Sequence, residues 1–186
     1  MTADAGGVMA GDRVVSVPES DSAASSLASE AAWYAGLPTM FGSAAALFTD
    51  PAGQVLLVKP NYRDHWALPG GILEHGEPPH AGCRREIAEE IGLDIAPGRL
   101  LAIDWSPPDG VRPRPIVHFM FDGGVLDEHV PIRLQEEELD GYRFVEPGEL
   151  AGYLPAFLAA RTSAALAGRA AGAPVYVPEL DGRAPG

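Results

Sequence analysis

The chain has 186 residues, of which 46% are apolar and 21% charged, enough for one folded domain with a full core and tails. Its net charge of −13 excludes the basic surface that stable nucleic-acid binding needs. The single cysteine, Cys83, excludes an internal disulfide framework, and no apolar run is long enough for a membrane span. These features point to a cytoplasmic protein.

Residues 1–28 are rich in Ala, Ser, Gly, Asp and Glu with little periodicity, and are expected to be a mostly disordered tail. A single domain is expected over 29–178, followed by a tail at 179–186. Ser29 to Gly36 reads as a short helix that packs Trp33 and Tyr34. This segment is also a candidate arm for a homodimer.

Gly42 to Thr49 and Gln54 to Lys59 read as two strands joined by the turn Asp50-Pro51-Ala52-Gly53. The unbroken apolar run Val55-Leu56-Leu57-Val58 implies a strand covered on both faces. Asn61 to His65 is a polar loop. Trp66 is expected in the core, and Ile72 to Glu74 as a short strand. Pro78 and Pro79 suit the first turn of a helix that runs to about Ile91, where Gly92 supplies the left-handed terminator. Further strands are expected at Arg99 to Trp105, Ile116 to Phe121 and Tyr142 to Val145. A Pro-rich loop lies at Ser106 to Pro115. The chain is helical from Glu149 and extended again at Pro174 to Pro178. Strands outnumber helices without strict alternation, which favours an α+β, layered architecture over a doubly wound parallel sheet.

On the Pro79–Ile91 helix, Glu86, Glu89 and Glu90 share an arc of roughly 100°. Cys83, Ile87 and Ile91 lie beside that arc, so the acids border the face to be buried. Like charges three and four residues apart repel. Arg85 offsets one of them, and a hard cation such as Mg²⁺ or Mn²⁺ would offset the rest. The Gly70-Gly71 pair lets backbone approach such an ion closely. A solvated acidic face is the plain alternative for the glutamates alone.

The whole run Gly71 to Leu93 fits one pattern. It reads Gly, five residues, Glu, seven residues, Arg-Glu, an aliphatic, any residue, Glu-Glu, any residue, Gly, an aliphatic. Gly71, Glu77, Arg85, Glu86, Ile87, Glu89, Glu90, Gly92 and Leu93 fill every specified position. In this the chain resembles the Nudix hydrolase family, and the order of elements is similar from about Phe41 to Leu158.

The resemblance implies an α/β/α sandwich with a mixed sheet, and hydrolysis of a nucleoside diphosphate linked to another group. It implies Glu86, Glu89, Glu90 and the Gly70 carbonyl as ligands of Mg²⁺ or Mn²⁺. Arg85, with Glu77, holds the glutamates, and Glu86 is the first candidate to orient or deprotonate water. Family members often use a further acid before the last core strand, which makes Glu137 a candidate metal ligand and Glu138 a candidate base. Tyr62, Arg63, His65, Arg112 and Arg114 are the substrate-side candidates. His118 is expected to face the core, Cys83 to be a small core residue, and Arg161 to snorkel outward without a role.

The markers of the NADH-cleaving and coenzyme A branches are absent, and Asp109 stands where the ADP-ribose branch has a proline. A pyrophosphohydrolase of nucleoside triphosphates or related nucleotides is the leading expectation. An ADP-ribose-like nucleoside-diphosphate-sugar hydrolase and a nucleotide-binding regulatory module are the alternatives.

Overall fold

The computed structural model describes residues 19–127 and 129–178. The expected tail at 179–186 and residues 1–18 of the tail expected at 1–28 lie outside them, and residues 19–28 of the latter are helical. The chain divides into two compact units between Pro38 and Thr39.

The first unit contains α1 (Glu19–Ala35), which begins ten residues before the expected helix. Its Ala-, Ser- and Glu-rich sequence lacks an apolar stripe but has adequate helix propensity, and propensity decides the matter here. Trp33 and Tyr34 meet edge to face at 4.9 Å. They are 61% and 59% exposed.

Among its described residues, the second unit holds seven strands, two helices and a 3₁₀ turn at Pro147–Gly152. The strands are β1 (Phe41–Thr49), β2 (Val55–Pro60), β3 (Gly70–Ile72), β4 (Leu100–Ser106), β5 (Ile116–Val125), β6 (Leu139–Val145) and β7 (Val175–Val177). They form one mixed sheet in the order β6-β2-β1-β5-β4-β7, with β3 added against β1. Pairs β1·β5 and β4·β7 are parallel and the others antiparallel.

Two apolar layers flank the sheet. Alternate residues of β1 point to opposite faces. Ala44, Ala46 and Phe48 pack with Cys83, Ile87 and Ile91 of α2 (Pro79–Ile91). Leu47, on the other face, packs with Leu150, Leu154 and Ala165, the last from α3 (Ala156–Ala171). The fold is therefore the expected α/β/α sandwich. In β2, Val55 to Val58 are all buried, because both layers cover that strand.

Two local features position the site. Helix α2 has Pro at its first turn and stops at Gly92, whose φ of 70° is left-handed. Strand β3 pairs with β1 through Ser43↔Ile72, Ala44↔Gly71 and Ala45↔Gly70. Gly70 has φ 143°, and a Cβ there would stand 2.3 Å from the Ala44 carbonyl oxygen. Only glycine fits, and its absence of side chain brings the β3 backbone against the carboxylates of α2.

Candidate active site

Helix α2 presents its three motif glutamates to three different surroundings. Glu90, only 6% exposed, accepts a hydrogen bond from the Gly70 amide at 2.7 Å. Burial pushes its carboxyl up to about 8, and the charges of Glu86 and Glu138 push in the same direction against the Gly70 hydrogen bond. Glu86 is half-buried beside Gly71, where a Cβ would come within 2.4 Å of its Oε1. Burial raises its pKa too, although Arg85 pulls it down. Glu89 is exposed and turns to Arg85.

Arg85 is the hub of this end. Its Nε and Nη2 donate to the two oxygens of Glu77 at 3.0 Å each. Its Nη1 donates to Glu86 and Glu89 at 2.9 Å each, and Nη2 also reaches the Ile72 carbonyl. The fork is bidentate on Glu77, and that bond lowers the Glu77 pKa. Glu77 in turn accepts from the Glu74 amide at 2.9 Å, which ties the loop before α2 to its first turns.

A cavity of about 480 Å³ opens next to these groups, within the usual size range of small-molecule sites. Gly70, Glu86, Glu90 and Glu138 lie on its wall, as do Tyr62, Arg63 and Arg112. Tyr62 is exposed, with the Arg63 guanidinium over its ring at 5.4 Å. Arg112 is tied to its own loop through Asp109, the Pro107 carbonyl and the Arg114 carbonyl.

Four proposed site residues besides Arg85 are not on that wall. Glu89 faces Arg85. Glu137 is exposed, and its backbone carbonyl accepts from Asn61. His65 packs edge to face on Phe157 at 6.4 Å, one step behind the wall. Arg114 sits over Phe41 at 5.7 Å. Trp66 belongs to the core layer under α3, as the sequence implied. Cys83 is buried, and its thiol is pushed up to about 12 by that burial, which suits a core residue and not a nucleophile.

Two expectations are corrected. His118 is half-buried and lines the cavity, with its Nδ1 against Ser43 Oγ, because β5 turns it to the α3 face beside β1. Arg161 does not snorkel outward. It is 6% exposed and donates from Nε and Nη2 to Asp104 Oδ2 at 2.9 and 2.5 Å. The signal was present in the sequence as two anomalies: a carboxylate inside the apolar strand Leu100–Ser106, and a cation on the apolar face of a helix. A buried charge needs a partner, so each anomaly calls for the other.

Among the described residues, no three acidic, histidine or cysteine side chains already stand close enough to cage an ion. The donor chemistry nevertheless fits a hard divalent cation. Glu86, Glu90 and Glu138 are oxygen donors on one cavity wall, and their mutual repulsion adds to the burial that raises the Glu90 pKa. A cation between them would remove that repulsion.

Known proteins resemble this chain in sequence and fold. The family model described as NUDIX domain matches residues 40–166. An ADP-ribose pyrophosphatase of Mycobacterium tuberculosis is 37% identical over 73 residues, covering 36% of this chain and 35% of the relative. The nucleoside triphosphatase NudI of Escherichia coli is 30% identical over 98 residues, covering 47% and 66%. The chain spans between 22% and 66% of the length of the curated relatives it matches. The crystal structure of a MutT protein from Methanosarcina mazei superposes with a TM-score of 0.60 at 23% identity, covering 71% of this chain and 96% of that one, and so shares the fold. With the motif complete, the sandwich in place and the domain matched over most of its length, this chain belongs to the Nudix family.

Proposed function

We propose that this chain is a Mg²⁺- or Mn²⁺-dependent pyrophosphohydrolase that cleaves the diphosphate linkage of a nucleoside triphosphate or related nucleotide. The observation that carries this reading is the placement of Glu86, Glu90 and Glu138 on one wall of a small-molecule cavity, with Glu90 desolvated. Carboxylates with raised pKa values gathered in a concave site mark a functional site, and their oxygen donors suit metal-assisted phosphoryl chemistry.

Glu86 and Glu90, with the Gly70 backbone, would hold the ion. A divalent ion bound there supplies charge neutralisation of phosphate oxygens and a lowered pKa for water. Arg85 holds Glu86 and Glu89 in place through its fork on Glu77. Glu138 faces the same cavity and orients the attacking water or accepts its proton. Tyr62 and Arg63 stand at the same wall, where an aromatic ring and a cation can meet the base and the phosphates. Water adds to one phosphorus, the bridging P–O bond breaks, and a monophosphate leaves with pyrophosphate or another phosphorylated partner. Positioning and charge stabilisation carry most of the catalysis.

A nucleoside-diphosphate sugar is the second reading, favoured by the relative named ADP-ribose pyrophosphatase. The deciding assay offers nucleoside triphosphates, dinucleotides and nucleotide sugars with Mg²⁺ or Mn²⁺ and identifies products by mass. Turnover that needs the metal and yields a monophosphate is expected. Nucleotide binding without turnover on any member overturns the reading in favour of a regulatory module.

A further inference from the structure

The far end of the cavity carries polar groups that hydrolysis leaves without a task. Strand register aligns Ser43, His118 and Asp104 across β1, β5 and β4. Arg161 comes from α3 onto the end of this row and binds Asp104. Asp104 is 1% exposed, and Ser106 also donates to its Oδ2. Its Oδ1 is buried with no hydrogen-bond partner.

Stability does not account for such a pair. Desolvation of both ions offsets their attraction, and apolar side chains of the same volume would serve as well. Asp104 and Arg161 together are neutral, so they offer little to a phosphate. Of the two, Arg161 lines the cavity, on a wall it shares with Met120, Phe157 and Leu158. The Arg161 guanidinium lies 5.8 Å from the Phe157 ring centre. A flat, uncharged heterocycle with acceptors on its edge matches that wall. Guanidinium donates only, so it pairs with a ring carbonyl and disfavours an exocyclic amine at the same position.

We propose that Arg161, held in place by Asp104, is a specificity-determining residue that selects keto-purine nucleotides over adenine nucleotides, with Ser43 and His118 completing the wall. This rests on the reading that a nucleotide lies in the cavity with its diphosphate at the carboxylate end. The test uses the full chain with Mg²⁺ and compares kcat/KM for GTP, ITP and ATP, which differ only in the base. GTP and ITP are expected to exceed ATP by about 10-fold. In the double variant Asp104→Leu/Arg161→Met, which leaves no charge unpaired, that ratio should fall to about one. Arg161→Lys gives the same comparison should the double variant not fold, because lysine keeps the charge and loses the planar fork. A wild-type ratio near one, an unchanged ratio in a folded variant, or an equal loss on all three substrates overturns the proposal.

Guanosine and adenosine, which carry no phosphate, test the wall apart from the reaction by saturation-transfer NMR. Guanosine bound in preference to adenosine, and lost in the variant, upholds the wall even where no triphosphate is cleaved. Neither nucleoside bound, in a protein that cleaves none of the three, overturns it.

Discussion

The two ends of the cavity handle charge in opposite ways. At the α2 end, Glu86, Glu90 and Glu138 share a wall; Arg85 is divided among Glu77, Glu86 and Glu89, and Arg63 acts on Glu90 through its charge alone. At the α3 end, one carboxylate and one guanidinium are buried together and cancel. The first end is left short of positive charge, which suits an ion supplied from outside. The second supplies its own counter-charge, which suits recognition of an uncharged group. Desolvation acts on both, and the difference lies in whether the protein provides the counter-charge.

The largest effect is expected at the end that lacks it. Glu90→Gln keeps the shape and the Gly70 contact but removes a ligand charge. It should lower kcat by about 10²–10⁴ in steady-state assays while circular dichroism shows a folded protein. Near-normal turnover would remove Glu90 from the reaction. Arg85→Lys should cost less, about 10–100-fold in activity, the usual range for groups that orient a metal's ligands. Lysine has no planar fork, so it cannot hold Glu77 in a bidentate grip while reaching Glu86 and Glu89. Full activity in this variant would show that the glutamates hold their positions without Arg85.

The same contrast explains what was legible in the sequence. Gly70, Glu77, Arg85, Glu86 and Glu90 lie close together along the chain, and helical periodicity alone puts the acids on one arc. The Pro79–Ile91 helix and its Gly92 stop were readable for the same local reason. The α3 end is assembled from β1, β4, β5 and α3, so its geometry exists only after the strands pair. Ser43 carries no signal by itself. His118 alternates in a strand, and that pattern by itself favours the core. Asp104 and Arg161 were anomalies in apolar patterns, but no local rule joins residues on separate elements. The early start of α1 was missed because it rests on propensity and not on an apolar stripe.

The α3 end can be probed by stability. Arg161→Met alone strands the Asp104 carboxylate in the core, and is expected to destabilise by about 3–5 kcal/mol. The double variant Asp104→Leu/Arg161→Met should recover most of that loss, since no charge is left behind. Chemical denaturation of the three proteins measures both. A single variant no less stable than wild type would mean that the pair is not the closed unit the structure shows.

The smallest expected effect sharpens the comparison most, because it reads the missing counter-charge directly. Glu90 titrates near 8 in the fold and near the ordinary glutamate value when unfolded. Between those values the folded chain holds a proton that the unfolded chain has released. Stability contributed by that proton is complete at low pH and declines as pH rises toward 8. In chelator, the melting midpoint should therefore fall between about pH 5 and pH 8 by about 5 °C or more. Glu90→Gln, which cannot ionise, should flatten this slope. Mg²⁺ should flatten it in the wild type as well, because a bound cation stabilises the ionised carboxylate and reverses the cost of burying it. A slope that is equally steep in Glu90→Gln would place its source elsewhere in the chain and leave the α2 end with no charge deficit to explain.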